Sequence, residues 1–442
     1  MRIHLPRAVR VAVTSAAALV LAAAFTAASA SAGSADPAAA GASFGHRLGY
    51  VPMTGGHRPG LGTSTATSIP GALSYHGGVD GIGVTTGHEQ VYLVFYGSQW
   101  GTASTGSDGY QYYSGDALGV APRLQALFAG LGTNNELWSG VMTQYCEGVS
   151  SGATSCPSAA RHVAYPTGGA LSGVWEDTSV SAPSAATAAQ LGSEAVAAAG
   201  HFGNTTASAN RNAQYVVVSP TGTNPDNYRT SGFCAWHDWN GRVGVSSPYG
   251  DIAFTNLPYL PDAGTSCGQY YVNAGSAGVL DGVTIVEGHE YAETITDQNP
   301  AGGWLDAGGN ENADKCAWNG VGGTGGASNV AFATGSFPMQ ATWSNDVDDC
   351  AISHAVVINR LLVGMVCDST GGGTFECDLS ASGGVPPYTV TWGGSGVRYT
   401  QTSPTYAAGT CTVNVFDNPY SIVTDSAGTS VKTTKSFYCD PF

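Results

Sequence analysis

The stretch from Asp281 to Cys316, DGVTIVEGHEYAETITDQNPAGGWLDAGGNENADKC, constrains this chain more than any other. Asp281 is a good N-cap and Asn299-Pro300 a good stop, so the spacing predicts a helix between them. Inside it His289, Glu290 and Glu293 spell H-E-x-x-E. Residues four apart lie on one helical face, so His289 and Glu293 reach toward a common point while Glu290 stands beside it. Ile285, His289, Ala292 and Thr296 also follow helical spacing. That pattern equally describes a core-edge histidine, with Glu290 and Glu293 on a solvated face.

The chemical reading of the same spacing is a metal centre. In H-E-x-x-H zinc peptidases two ligands come from one helix and the Glu between them is the general base. Here Glu293 stands where that pattern has its second His, and carboxylate is a less common zinc ligand. Asp306, Glu311 and Asp314 follow closely, a density of oxygen ligands that favours a cation. Zinc is the expected ion, and a carboxylate-rich set also admits calcium or manganese.

The N-terminus reads as a secretory signal. Arg2, Arg7 and Arg10 form a basic n-region, Val11 to Ala28 an apolar stretch, and Ala30-Ser31-Ala32 a small-residue cleavage site. No later run is long and apolar enough to span a bilayer, so a secreted, extracellular protein without a membrane contact is expected. Loss of residues 1–32 removes three Arg and no acid, which moves the formal charge from −16 to −19. So acidic a chain lacks the basic footprint of a nucleic-acid binder. The 10 cysteines suit an oxidising compartment. Closeness pairs Cys146 with Cys156, Cys234 with Cys267, and Cys316 with Cys350.

Taken in order, residues 33–75 are rich in Ala, Gly, Ser, Thr and Pro and read as a flexible linker or short pro-segment, with His46 and His57 as bystanders. Val91–Tyr96 is a continuous apolar run, hence a buried strand, followed by a helix over about 117–131. Gly148-Val149-Ser150-Ser151-Gly152 matches G-x-S-x-G, but it sits between two close cysteines in a Ser/Gly loop. A nucleophile elbow needs a strand before it and a helix after it, so this is a structural loop. Ala186–Ala199 is predicted helical and Gln214–Val218 a second buried strand. His237 lies in the aromatic segment Ser231–Trp239, either packed in that cluster or acting as a third ligand or carbonyl-polarising group. Asp251–Pro258 reads as an edge strand because Pro258 and Pro261 follow it, and Phe337–Asn345 as a strand returning to the core. Asp346, Asp348 and Asp349 read as a solvated turn, with calcium as the alternative.

The texture changes near Val366. Residues 367–442 have short alternating runs and turn glycines, and Cys377, Trp392 and Cys411 follow the Cys–Trp–Cys order of sandwich domains. That order pairs Cys377 with Cys411 and leaves Cys367 for Cys439. Gly383–Trp392 resembles a strand of PKD or immunoglobulin-like sandwiches.

The block Glu287–Asp297, then Trp304, then Glu311–Cys316 resembles secreted bacterial proteins with an H-E-[LFY]-A-E-x-x-T-[DN] helix. It is also similar to the plant phosphate-induced, or EXORDIUM-like, secreted proteins. Gly232–His237 and Val91–Gly97 are similar to further segments of theirs. The resemblance implies a zincin-like fold with His289 and Glu293 as metal ligands and Glu290 as base, the third ligand lying among Asp314, Glu311 and His237. The expected architecture is an α+β zincin-like core domain over 76–365, a mixed sheet plus the active helix, followed by a small all-β immunoglobulin-like sandwich over 366–442. Two functions are expected from it. One is a zinc peptidase acting on protein or peptide substrates, tethered to a cell wall or polymer through the C-terminal domain. The other is a non-catalytic secreted or cell-wall protein with a structural metal site.

Overall fold

Apolar runs form the strands at the centre of the molecule. The computed structural model describes residues 50–54 and 71–442, apart from 159, 358–360, 385–386 and 426–427. The expected signal sequence, His46 and His57 lie outside the described residues. The main sheet contains β1 (Tyr50–Pro52), β2 (Gln90–Tyr96), β3 (Leu171–Asp177), β4 (Ala213–Val218), β5 (Phe233–Trp239) and β6 (Ala253–Leu257). Its spatial order is β1-β5-β6-β4-β2-β3. Strands β6, β4, β2 and β3 run parallel, β5 is antiparallel to β6, and β1 is antiparallel to β5.

Alternation along each strand divides the sheet into two apolar faces. Val91, Leu93 and Phe95 of β2 pack with Leu124, Leu127 and Phe128 of α1 (Val120–Gly130). Tyr92, Val94 and Tyr96 pack on the other face with Leu191, Ala195 and Ala198 of α2 (Ala188–His201). Helix α1 begins three residues later than its apolar pattern, because Gly119 takes a left-handed conformation and the Asp116 carboxylate accepts from the amides of Gly119, Val120 and Ala121. Thr187 caps α2 with a reciprocal Gln190 contact.

The H-E-x-x-E segment is α3, Asp281–Thr296, and every one of its residues is buried. Val283, Val286, Tyr291, Ala292 and Ile295 join the α1 side of the core. A hairpin of β7 (Ser328–Phe332) and β8 (Gly335–Met339) also packs against it, and Thr284 donates from Oγ1 to the Pro338 carbonyl at 2.7 Å. Gly282 is required by close approach: a Cβ there would lie 1.8 Å from the Cys267 carbonyl oxygen. Downstream, the chain forms two four-stranded antiparallel sheets between Leu362 and Tyr438. Met365, Phe375, Leu379, Val423 and Phe437 share their core. The chain is therefore mixed α+β, rich in sheet and poor in helix.

Several expectations are corrected. Asp281 is the first helical residue rather than the cap, and its carboxylate accepts from the Val272 and Asn273 amides and from the Asn273 side chain. Strand β6 is not an edge strand: it lies between β5 and β4 with all five residues buried, and the prolines fall beyond its end. The edge is β1, drawn from the stretch expected as linker, and Ser74–Tyr75 of the same stretch pairs with Trp304–Leu305. The segment 337–345 is two strands, broken at Gln340-Ala341. The change of texture at Val366 falls inside a strand, Leu362–Gly371.

Five disulfides form. The three core pairings agree with expectation, whereas Cys377–Cys411 and Cys367–Cys439 do not occur. Cys367 and Cys377 face each other across adjacent antiparallel strands, with Cα atoms 4.1 Å apart, and bond to one another. Cys411 is left for Cys439. The Gly148–Gly152 segment is a loop closed by Cys146–Cys156.

Leu127→Ala is expected to destabilise the protein by about 2–5 kcal/mol through the cavity left between α1 and the sheet. Leu118→Ala, at a position 46% exposed, should stay within about 0.5 kcal/mol. Denaturant titration of both variants measures the difference.

Candidate metal centre

Helix α3 sets His289 and Glu293 one turn apart. His289 Nε2 lies 2.9 Å from Glu293 Oε1 and 3.7 Å from Asp314 Oδ1. Asp314 also donates its backbone N–H to Glu293 Oε1 at 2.9 Å, which ties the following loop to the helix. That loop is folded around Asp306, whose carboxylate accepts from the Gly308 and Asn310 amides and meets Lys315 Nζ at 3.3 Å. The Cys316–Cys350 disulfide anchors its far end. Asp297, just past α3, accepts from the amides of Ala301, Gly302 and Gly303 and so turns the chain back. Gly303 is needed there, since a Cβ would lie 2.1 Å from the Thr296 carbonyl oxygen.

His237 reaches the same region from β5. Its neighbour Trp236 faces α2, so alternation turns His237 toward α3. His237 Nε2 is 3.4 Å from Glu311 Oε1, yet neither ring nitrogen is hydrogen-bonded. Two potential ligand sets result: His289, Glu293 and Asp314, and His237, Glu293 and Glu311, the atoms of each lying within 4.8 Å of one another. Glu290, buried beside them, has no hydrogen-bond partner at either carboxylate oxygen. The structure thus brings His289, Glu293, Asp314, Glu311 and His237 together. Asp306 is instead engaged in its own loop, and Asp346, at the chain reversal before Asp349–Ala351, meets His354 at 3.3 Å. A third grouping, Cys411, Asp417 and Cys439, is closed to metal by its disulfide.

Gln340 is a site residue the sequence did not disclose. Its Nε2 donates to the carbonyls of Ala313 and Ala341, which aims Oε1 at His289 Nδ1, 3.1 Å away. An amide oxygen can only accept, so Nδ1 carries a proton and Nε2 is the atom left to ligate. Nothing in the sequence flags Gln340, because it acts only where the strand breaks.

Burial governs the electrostatics. It pushes the Glu290 carboxyl well above the usual range against the opposing pull of His289, with Glu293 and Glu287 adding to the rise. Glu311 is raised by burial and then by Glu293 and Asp297. Burial works against a charged His289, but the carboxylates of Glu293, Asp314 and Glu290 outweigh it and hold that imidazole well above its ordinary value. His237 moves the other way, to about 3, through burial and then the proximity of His289 and Arg242. A neutral imidazole without a hydrogen bond, set among buried carboxyl groups that hold protons, is a donor set suited to a divalent cation, which would take the place of those protons. Glu287 and Glu89 are buried and unpartnered as well. Glu287 is raised by burial alone, whereas Glu290 feels the ligand carboxylates directly.

No protein-family model and no curated protein matches the chain.

A pH dependence follows. Glu290, Glu311 and His289 hold protons more tightly in the folded chain than in the unfolded one, and so does Asp297, raised by burial to about 7. Without metal, the stability they contribute is present at low pH and lost as pH rises above the ordinary carboxylate range and through 7. His237, held at about 3, opposes this below its ordinary value near 6.5, so chelator-treated protein should melt at progressively lower temperature between pH ~6.5 and ~8. Bound cation displaces those protons, so the gap between loaded and chelated melting curves should widen over the same window. Gln340→Ala is expected to weaken metal binding by about 10–100-fold while the fold is retained, as read by competition with a chromogenic chelator.

Proposed function

We propose that this chain is a secreted metallopeptidase of zincin type, with zinc held by His289, Glu293 and Asp314 and with Glu290 as general base. The observation that carries this reading is Glu290. It is a buried carboxylate with both oxygens unpartnered, adjacent in sequence to one ligand and within electrostatic reach of the others. A structural site has no use for such a group.

A cation bound there supplies Lewis acidity, which acidifies water and polarises a peptide carbonyl. Glu290 takes the proton of the attacking water and returns it to the leaving amine. Burial raises its pKa above the ordinary carboxylate value, the direction a group that must act as both base and acid requires. Gln340, accepting from Nδ1, leaves Nε2 as the His289 nitrogen that faces Glu293 and Asp314. His237 faces Glu311, which supports a ligand role over polarisation of a substrate carbonyl. Asp314, with its side chain 17% exposed, offers the way in from solvent past the 306–315 loop.

Five disulfides support an extracellular setting. No helix among the described residues is long and apolar enough to cross a membrane. We read the C-terminal sheets as an immunoglobulin-like module that contacts polymer or cell wall. Phe416, 67% exposed, and Tyr438 stand edge to face on its surface, an arrangement suited to such contact.

One observation favours the second reading, a structural cation in a non-catalytic secreted protein. His289, Glu290 and Glu293 are all fully buried. A cleft of about 110 Å³ opens instead beside Gln144, His162, Trp304 and Asn345. Glu290→Gln separates the readings. On the peptidase reading the variant keeps its metal and loses about 10²–10⁴-fold in hydrolysis of an unfolded protein substrate. Wild-type protein that binds zinc and cleaves nothing, or a Glu290→Gln variant that cleaves normally, supports the structural cation.

A further inference from the structure

The proposed zinc site leaves two of the five gathered ligand residues, His237 and Glu311, unused. His237, 1% exposed, has no hydrogen bond at either ring nitrogen, and Glu311, fully buried, meets only the carboxyl groups of Asp297 and Glu293 besides it. His237 and Glu311 face each other at 3.4 Å, and Glu311 comes from the loop that also delivers Asp314. A buried imidazole without a hydrogen bond, set against a carboxyl whose other neighbours are carboxyls, loses its desolvation energy for little return unless a cation completes the group. Glu293 is the residue common to both ligand sets. Its Oε1 faces His289 and the Asp314 amide, while Oε2 is buried and unpartnered. A carboxylate placed this way can serve two cations, one through each oxygen.

Charge leads to the same conclusion. Glu290, Glu293, Glu311 and Asp314 are gathered around two imidazoles. A single divalent ion would neutralise half of four carboxylates, whereas two would neutralise all of them. Nitrogen and carboxylate donors in equal readiness suit zinc, manganese or cobalt rather than magnesium, and paired sites of this kind hold their ions roughly 3.5–4 Å apart.

We propose that the centre is dinuclear. One divalent transition ion lies between His289, Glu293 and Asp314, and a second lies between His237, Glu293 and Glu311, with Glu293 bridging. This rests on the metal reading of the first set and extends it to residues which that reading leaves idle. Of the roles the sequence leaves open for His237, the second ion makes it a ligand rather than a group that polarises substrate.

The test uses the full purified chain, stripped of metal and reloaded with zinc alone, its content read by plasma mass spectrometry. The expected result is about two zinc per chain in wild type. His237→Ala and Glu311→Gln each fall to about one, and both still bind the ion that His289→Ala loses. Manganese-loaded wild type provides a readout free of any substitution: a bridged pair gives a spin-coupled EPR signal, and an isolated ion does not. One zinc per chain, kept in His237→Ala but lost in His289→Ala, overturns the second site and leaves the first intact. One zinc lost equally in both histidine variants overturns the pair in favour of a single ion shared by all five residues. No zinc in folded wild type overturns both the second site and the reading beneath it.

Discussion

Carboxylates and imidazoles crowd the buried faces of α3, where only Asp314 keeps partial contact with solvent. An ionised carboxylate removed from water costs several kcal/mol unless it is paired. Lys315, the nearest basic residue along the chain, is committed to Asp306 and lies over the Trp343 ring. The cluster is therefore short of positive charge, and its members respond by holding protons. On the proposed metal reading, divalent cations would replace those protons with charge that the ligand carboxylates share. That exchange would link the stability of the fold to the occupancy of the site.

The scaffold around the cluster is built for fixed geometry. Strand β5 carries His237 and is tied through Cys234–Cys267 to the turn against which Gly282 packs. The 306–316 loop is tied to the Asp349–Ala351 strand through Cys316–Cys350. Val283, Val286 and Ile295 fix the rotation of α3 against the α1 face of the sheet, each contributing about 1.5–3 kcal/mol by burial. The apolar side of the helix thus offsets the cost of its acidic side. Such a balance leaves little tolerance for a second source of strain. Glu293 in place of a neutral ligand also makes any bound ion less electrophilic than one held by three imidazoles.

Much of this was legible in the sequence. The 3.6-residue spacing of α3 announced the helix, because four-residue periodicity acts locally, although it ends at Thr296, short of the Asn-Pro expected to stop it. The parallel strands β2 and β4 announced themselves as unbroken apolar runs. Neighbouring cysteines closed as expected in the core. What escaped depended on contacts distant in the chain. Tyr50–Pro52 has the composition of a linker and becomes a strand only because β5 presents an open edge. Gln340 acquires its role from a break between two pairings, and Asp281 turned from its own helix to the loop before it. Cys367 and Cys377 were separated in expectation by an analogy of order, whereas antiparallel register set them face to face.

The most direct measurement is anomalous diffraction at the zinc edge from crystals of the full chain grown with zinc. A strong peak within coordinating distance of His289 Nε2, Glu293 and Asp314 is the predicted result. Well-ordered side chains around His289 with no anomalous density, and with Glu293 hydrogen-bonded directly to the imidazole, would contradict the claim that this buried cluster is completed by a cation.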